Sequence, residues 1–102
     1  MTGYRFHPEA RAELVGATDW YGGCPDVSTD FAAAVQAAIE RIVRFPRAYA
    51  RWPGVENAEV RRCVLRRFPF VIVYAIESDE IVVLAIAHTS REPGYWARRL
   101  QD

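Results

Sequence analysis

Two apolar runs, Phe70-Val71-Ile72-Val73-Tyr74-Ala75-Ile76 and Ile81-Val82-Val83-Leu84-Ala85-Ile86-Ala87-His88, set the architecture of this chain. Both are short and rich in β-branched and aromatic residues, which is typical of strands. The polar residues from Glu77 to Glu80 predict a turn that joins the two strands as an antiparallel hairpin. Because both alternating sets of side chains are apolar, we expect both faces of the hairpin to be covered.

Strict alternation assigns the side chains of the second run to two faces of a sheet. One face then carries Ile81, Val83, Ala85 and Ala87, and the other carries Val82, Leu84 and Ile86. A further run, Val60 to Arg67, predicts a third strand of the meander. Its four arginines cannot be assigned to a face from the pattern, because a one-residue change of register reverses every side chain.

Upstream of these strands the sequence begins with a strand and a helix. Tyr4 to Phe6 predicts a short strand, and Pro8 followed by Glu9 is typical of a helix start. Gly22-Gly23 ends the predicted helix. Its apolar stripe consists of Ala10, Leu14, Ala17 and Tyr21.

A second helix follows a predicted turn over residues 24–27. Ser28 is the expected N-cap, and Pro46 stops the helix. The stretch from Arg47 to Ala58 contains Pro53-Gly54 and is expected to be a loop. The apolar stripe of this helix consists of Phe31, Val35, Ala38, Ile39, Ile42 and Phe45.

The order β-α-α-β-β-β predicts an α+β fold, with an antiparallel sheet packed against two N-terminal helices. A chain of 102 residues holds one core, so we expect a single domain over residues 1–102. Two helices cover only one face of so small a sheet. The other face must be closed by the C-terminal residues Tyr95, Trp96 and Leu100, by a second copy, or by a different protein.

Composition excludes several classes of protein. Apolar residues make up 51% and charged residues 25%, as in soluble globular chains. The longest uncharged apolar run, Phe68 to Ile76, is far shorter than the roughly 20 residues of a membrane-spanning helix. The N-terminus resembles no secretory signal, so we expect a cytoplasmic protein. Cys24 and Cys63 lack partners at metal spacing, and we predict no disulfide, metal site or other cofactor.

Positive charge is concentrated in one part of a chain whose formal net charge is zero. All 13 basic residues are arginines, and residues 41–67 hold eight of them against Glu56 and Glu59, an excess of +6. Such a block attracts phosphate or an acidic partner. A solvated surface explains most of these side chains equally well.

Three segments carry a resemblance to a known family. They are Phe6-His7-Pro8-Glu9-Ala10, the stretch from Val60-Arg61-Arg62 into Arg67-Phe68-Pro69-Phe70, and Val83 to Trp96 with its His-x-x-Arg-x-Pro-x-Tyr-Trp pattern. Together they resemble the RelE/ParE toxin superfamily over nearly the whole chain. Similar members are plasmid-stabilisation toxins of type II toxin-antitoxin systems. The resemblance implies a cognate antitoxin that wraps the toxin and alone contacts operator DNA.

Within this superfamily two mechanisms are open. A RelE-like toxin cleaves mRNA on the ribosome without a metal, and His88, Arg91 and Tyr95 are the candidate catalytic residues. A ParE-like toxin poisons DNA gyrase by binding. The chain has no lysine, and arginine is a poor proton carrier because its pKa lies above about 12. We therefore favour the gyrase inhibitor over the endoribonuclease.

The remaining site residues are predicted from charge and apolar surface. The candidates for binding the target or its phosphates are Arg61, Arg62, Arg67 and Arg91. The candidates for contacting the antitoxin are Ile72, Tyr74 and Trp96. A simpler account remains open, in which His88 is structural, the arginines are solvated, and Tyr95 and Trp96 are packing anchors.

Overall fold

The computed structural model describes residues 3–101, and they form two helices and one four-stranded sheet. Short 3-10 turns follow the first helix, at Tyr21–Gly23, and close the described chain, at Ala97–Gln101. The predicted α+β fold is confirmed. The main elements are β1 (Gly3–Phe6), α1 (Pro8–Trp20), α2 (Pro25–Arg44), β2 (Glu59–Val64), β3 (Phe70–Glu77) and β4 (Glu80–His88).

The sheet has the order β1-β4-β3-β2 and is mixed. The strands β2, β3 and β4 form the predicted antiparallel meander. A two-residue turn at Ser78 and Asp79, both with positive φ, joins β3 to β4 as in a type I′ hairpin. Against the expectation of a wholly antiparallel sheet, β1 runs parallel to β4, from Gly3 beside Glu80 to Phe6 beside Val83. The connection between them contains both helices, which is long enough for a parallel return.

Both helices begin at a proline. The imidazole Nδ1 of His7 accepts a hydrogen bond from the backbone N–H of Glu9 at 3.1 Å and so caps α1. The predicted start of α2 is wrong, because Pro25 at the first helical position begins the helix ahead of Ser28. The Ser28 hydroxyl instead donates to the backbone oxygen of Thr18 at 3.3 Å, which links the two helices.

One face of the sheet is packed against the helices. The stripe of α2 is buried as predicted, except for Phe45, which lies beyond the end of the helix and is 59% exposed. This helix face of the sheet is built from Cys63, Phe70, Ile72, Tyr74, Ile81, Val83 and Ile86.

The opposite face is closed by the chain itself. Trp96 is 1% exposed and packs on this second face with Trp52, its ring nearly perpendicular at a centroid distance of 5.0 Å. Val55, Ala58, Tyr95 and Leu100 complete the cover. The loop before β2 and the C-terminal residues therefore provide the intramolecular cover that was one of three alternatives.

A β-bulge in β4 corrects the predicted alternation. Val73 pairs with Ala85 but the next residue, Tyr74, pairs with Val83, so Leu84 is the extra residue. Leu84 and Ala85 both belong to the second face, and Ile86 returns to the helix face. Strict alternation placed Ala85 and Ala87 with Val83 and is wrong beyond Leu84. Both faces are apolar here, so the sequence pattern carries no mark of the bulge.

Candidate functional site

Five of the predicted site residues line one groove on the second face of the sheet. This tail groove has a volume of about 300 Å³ and lies between the end of β4 and the segment that follows it. It brings together Arg62 from β2, His88 from the end of β4, and Arg91 and Tyr95 from the C-terminal segment. Trp52, Trp96 and Val64 form its apolar walls.

Arg91 is held against an aromatic ring. Its guanidinium carbon lies 3.8 Å from the centroid of the Tyr95 ring, a cation-π contact that orients the cation in the groove. The Tyr95 hydroxyl donates a hydrogen bond of 2.7 Å to Oε2 of Glu13. Burial, together with this hydrogen bond, raises the pKa of Tyr95 to about 12. Tyr95 therefore stays neutral and fixed in place.

The Tyr95 contact belongs to a buried ion pair that sequence reasoning missed. Arg99, 6% exposed, donates from both terminal nitrogens to the carboxylate of Glu13 at 3.0 Å. Arg99 also donates to the backbone oxygen of Leu84 at 2.8 Å, and Glu13 accepts from the backbone N–H of Ile86 at 3.1 Å.

The position of this ion pair follows from the length of β1. The last backbone bond from the β1 side to β4 is from the N–H of His7 to the oxygen of Val83. Beyond Val83 the edge of β4 has no strand beside it, so its polar groups need other partners. Glu13 accepts the hydrogen bond of the Ile86 N–H, and Arg99 donates one to the Leu84 oxygen. Glu13 and Arg99 are far apart in sequence, so helical spacing gave no signal for the pair.

His88 is exposed but one of its ring nitrogens is engaged. Its Nδ1 accepts the backbone N–H of Ser90 at 3.0 Å and lies 2.7 Å from the Ser90 hydroxyl oxygen. The ring also packs edge-on against Phe70, with centroids 5.2 Å apart. Because Nδ1 accepts, the neutral imidazole carries its proton on Nε2 and presents a donor outward.

Arg61 and Arg67, predicted to bind target or phosphate, lie outside the tail groove. Arg61 is on the helix face, where it donates to Glu59 at 3.0 Å and to the backbone oxygen of Tyr49 at 2.6 Å. Arg67 pairs with Asp30 on α2 at 3.2 Å. The two arginines are therefore tied to the loop and to α2.

The three residues predicted to contact the antitoxin are buried. Ile72 and Tyr74 are fully buried beneath the helices, and the Tyr74 hydroxyl donates to the backbone oxygen of Pro46 at 2.6 Å. Trp96 is at the centre of the second-face core. In this conformation a partner could reach these side chains only by opening the core, and their contact with an antitoxin stays a prediction.

The cysteines, the helices and the possible metal ligands were also considered in the sequence. The thiols of Cys24 and Cys63 are both free, the first exposed and the second buried. Within residues 3–101, no helix is long and apolar enough to cross a membrane. In the same range, no three His, Cys, Asp or Glu side chains are grouped as potential metal ligands.

Comparison with known proteins gives the family. A family model described as the ParE toxin of the type II toxin-antitoxin system parDE matches residues 4–93. The chain is similar in fold to a solved structure described as the chromosomal ParDE TA system from P. aeruginosa, with 24% identity and a TM-score of 0.62. The structural match covers 86% of this chain and 96% of that one. The search of curated proteins found no match. The chain therefore belongs to the ParE toxin family of type II toxin-antitoxin systems, within the RelE/ParE superfamily predicted from its sequence.

Proposed function

We propose that this protein poisons DNA gyrase by binding, without hydrolysis, and that a cognate antitoxin neutralises it in the cytoplasm. The observation that carries the proposal is the charge and hydrogen bonding of the side chains that line the tail groove. The groove presents Arg62 and Arg91 as cations beside the exposed Glu92, while His88 and Tyr95 are hydrogen-bonded within the protein itself.

Cleavage of RNA without a metal needs a base for the ribose 2′-hydroxyl and an acid for the leaving oxygen. His88 accepts with Nδ1 from Ser90, so neutral His88 has no lone pair directed to solvent. Tyr95 donates its proton to Glu13 and has a pKa of about 12, which makes it a weak acid at neutral pH. This arrangement favours a binding surface over a catalytic one.

A RelE-like, ribosome-dependent endoribonuclease is the second candidate. The observation in its favour is that one groove holds all three predicted catalytic residues, His88, Arg91 and Tyr95. His88 would have to change tautomer to act as a base through Nε2, and Tyr95 would have to leave Glu13 to act as an acid.

Two assays separate these functions. We expect purified toxin to inhibit supercoiling by gyrase and to accumulate cleaved DNA. Arg91→Gln should raise the inhibitory concentration about 10-fold or more, since a charge-assisted contact contributes about 1.5–3 kcal/mol. His88→Ala should leave inhibition unchanged. Arg98→Gln is the matched control, because Arg98 is 80% exposed and outside the tail groove.

The second assay is cleavage of mRNA in a translating extract. We expect no cleaved message with wild-type toxin. Inactivity on gyrase, combined with message cleavage that His88→Ala abolishes, would overturn the proposal in favour of the endoribonuclease.

For the antitoxin we propose a groove of about 450 Å³ between β1, α1 and α2. Leu14 and Ile39 lie at its apolar base, and Val15 and Tyr4 are 55% and 42% exposed at its sides. Polar side chains such as Arg11 and Asp19 also line it. An amphipathic helix has the complementary pattern, an apolar stripe with polar flanks. This groove replaces the buried residues considered first.

The antitoxin proposal is tested by co-purification of the pair. Val15→Glu should weaken the complex by about 10-fold or more, because it places a charge against apolar surface. Ala37→Glu adds the same charge at an exposed α2 position outside the groove and should leave the complex intact. Equal binding by both variants would exclude this groove as the antitoxin site.

A further inference from the structure

A third groove lies at the outer edge of the sheet, next to the point where the backbone of Ala50 and Trp52 hydrogen-bonds to β2. This edge groove, of about 630 Å³, lies beside β2, the outermost strand on its side. It is lined by three arginines, Arg41 of α2, Arg62 of β2 and Arg66 of the following turn. The other lining residues are uncharged, namely Tyr49, Ala50, Cys63 and Val64.

The three arginines have no counter-ion in the described part of the chain. The ion pairs in this part of the chain involve other arginines, namely Arg5, Arg47, Arg61, Arg67, Arg98 and Arg99. Arg41 lines the groove beside Tyr49, and Arg62 lies over the Trp52 ring at 5.3 Å. The groove therefore holds three uncompensated positive charges in a protein whose formal net charge is zero.

We propose that the edge groove binds the phosphate backbone of double-stranded DNA. Arginine forms paired hydrogen bonds with phosphate oxygens, and three such cations along one groove match a regularly spaced polyanion. The inference goes beyond the proposed function, in which the toxin contacts the enzyme. It rests on that function only for the choice of ligand, since gyrase holds duplex DNA.

The aromatic residues distinguish a duplex from a single strand. Proteins that bind single strands stack the bases on free aromatic faces. Here Tyr49 is half-buried against the helix-face core, and Trp52 is occupied by Arg62 and by the edge contact with Trp96. Among the described residues, Tyr49 is the one aromatic residue that lines the edge groove, and Trp52 lies outside it. These groove residues therefore offer no free stacking platform and suit a ligand whose bases are already stacked.

Salt dependence gives the expected size of the effect. Three phosphate contacts predict a slope of about −2.7 for log K against log salt concentration. Affinity should then fall about 40-fold between about 50 mM and about 200 mM salt. Loss of all three arginines should reduce the slope toward zero.

The experiment is fluorescence anisotropy of a short labelled duplex with purified toxin and no gyrase. The test variant is Arg41→Gln with Arg62→Gln and Arg66→Gln. The control variant is Arg5→Gln with Arg11→Gln and Arg98→Gln, which removes the same charge from other surfaces. We expect salt-dependent binding by wild type and control, and binding at least 10-fold weaker for the test variant, with circular dichroism confirming that all three are folded.

Several outcomes would overturn the inference. They are no binding at low salt, equal losses in both variants, tighter binding of a single strand of the same length, and tighter binding of a glutamate-rich peptide that depends on the same arginines. Because gyrase is absent, the test is separate from that of the proposed function. If the toxin binds duplex DNA but leaves gyrase unaffected, the proposed function is wrong and this inference is supported.

Discussion

Replacing Glu13 by alanine removes the acceptor of four hydrogen bonds. The carboxylate accepts from the backbone N–H of Ile86 at 3.1 Å, from the Tyr95 hydroxyl at 2.7 Å, and from two nitrogens of Arg99 at 3.0 Å. Glu13→Ala leaves the guanidinium of Arg99, which is 6% exposed, with the Leu84 oxygen as its main partner. Among the residues that the structure describes, the buried guanidinium would then keep only one carboxylate nearby, that of the half-exposed Glu9, whose Oε2 lies 3.8 Å from its Nε.

The expected loss of stability is large for a chain of this size. Removing one partner of a buried ion pair costs about 3–5 kcal/mol. Small domains have total unfolding free energies of about 5–15 kcal/mol. The melting temperature should therefore fall by about 12 °C or more.

Urea unfolding, followed by far-ultraviolet circular dichroism and tryptophan fluorescence, measures this loss. Glu13→Gln retains an acceptor oxygen without the charge and should lose less stability than Glu13→Ala. The double variant Glu13→Ala with Arg99→Met should be more stable than Glu13→Ala alone, because the buried charge is gone. A Glu13→Ala protein within about 1 kcal/mol of wild type would show that the pair does not hold the C-terminal segment.

Three further predictions concern other parts of the molecule. Because the folded pKa of Tyr95 is raised to about 12, its neutral form stabilises the fold below its unfolded pKa of about 10. That contribution to the free energy of unfolding is lost as pH rises from about 10 through 12. In denaturant titrations Tyr95→Phe should therefore lose less stability than wild type over this pH range. Equal losses in the two proteins would contradict the assignment. Cys24 should react rapidly with a thiol reagent while Cys63, whose thiol pKa is raised by burial, reacts only on unfolding, so fast labelling that survives Cys24→Ser would be inconsistent with the structure. Gly94 has a φ of +84°, so Gly94→Ala should lower the free energy of unfolding by about 1 kcal/mol or more. In the same urea assay Gly16→Ala, within α1, should raise it by about 0.5–1 kcal/mol. A stabilising Gly94→Ala would contradict the described conformation of this turn.

Elements with one apolar face were predicted correctly from the sequence. The stripe of α2 from Phe31 to Ile42 is buried as expected, because helical periodicity records which side faces the core. The strands β3 and β4 are confirmed for a different reason, since they are short runs of β-branched and aromatic residues separated by a polar turn. Periodicity does not record strand direction, and the parallel pairing of β1 with β4 was missed.

Most of the predicted residues that share the tail groove are neighbours in the sequence, and Arg62 of β2 is the exception. His88, Arg91 and Tyr95 follow one another along the chain and share the tail groove. Glu13 and Arg99 meet only after the sheet has formed, so nothing local identified them. Ile72 is an apolar strand residue like its neighbours, and its burial beneath α2 depends on which face receives the helices.

The pairing of β1 with β4 also bears on how the protein is made. Synthesis begins at the N-terminus, so β1 and the apolar side of α1 leave the ribosome long before the strand that covers them. Helices can form early, but long-range strand pairing must wait for β4. The contact of Arg99 with Glu13 comes later still. A growing chain that still lacks β4 and Arg99 therefore lacks the tail groove, and the toxin fold is completed only after these segments have left the ribosome.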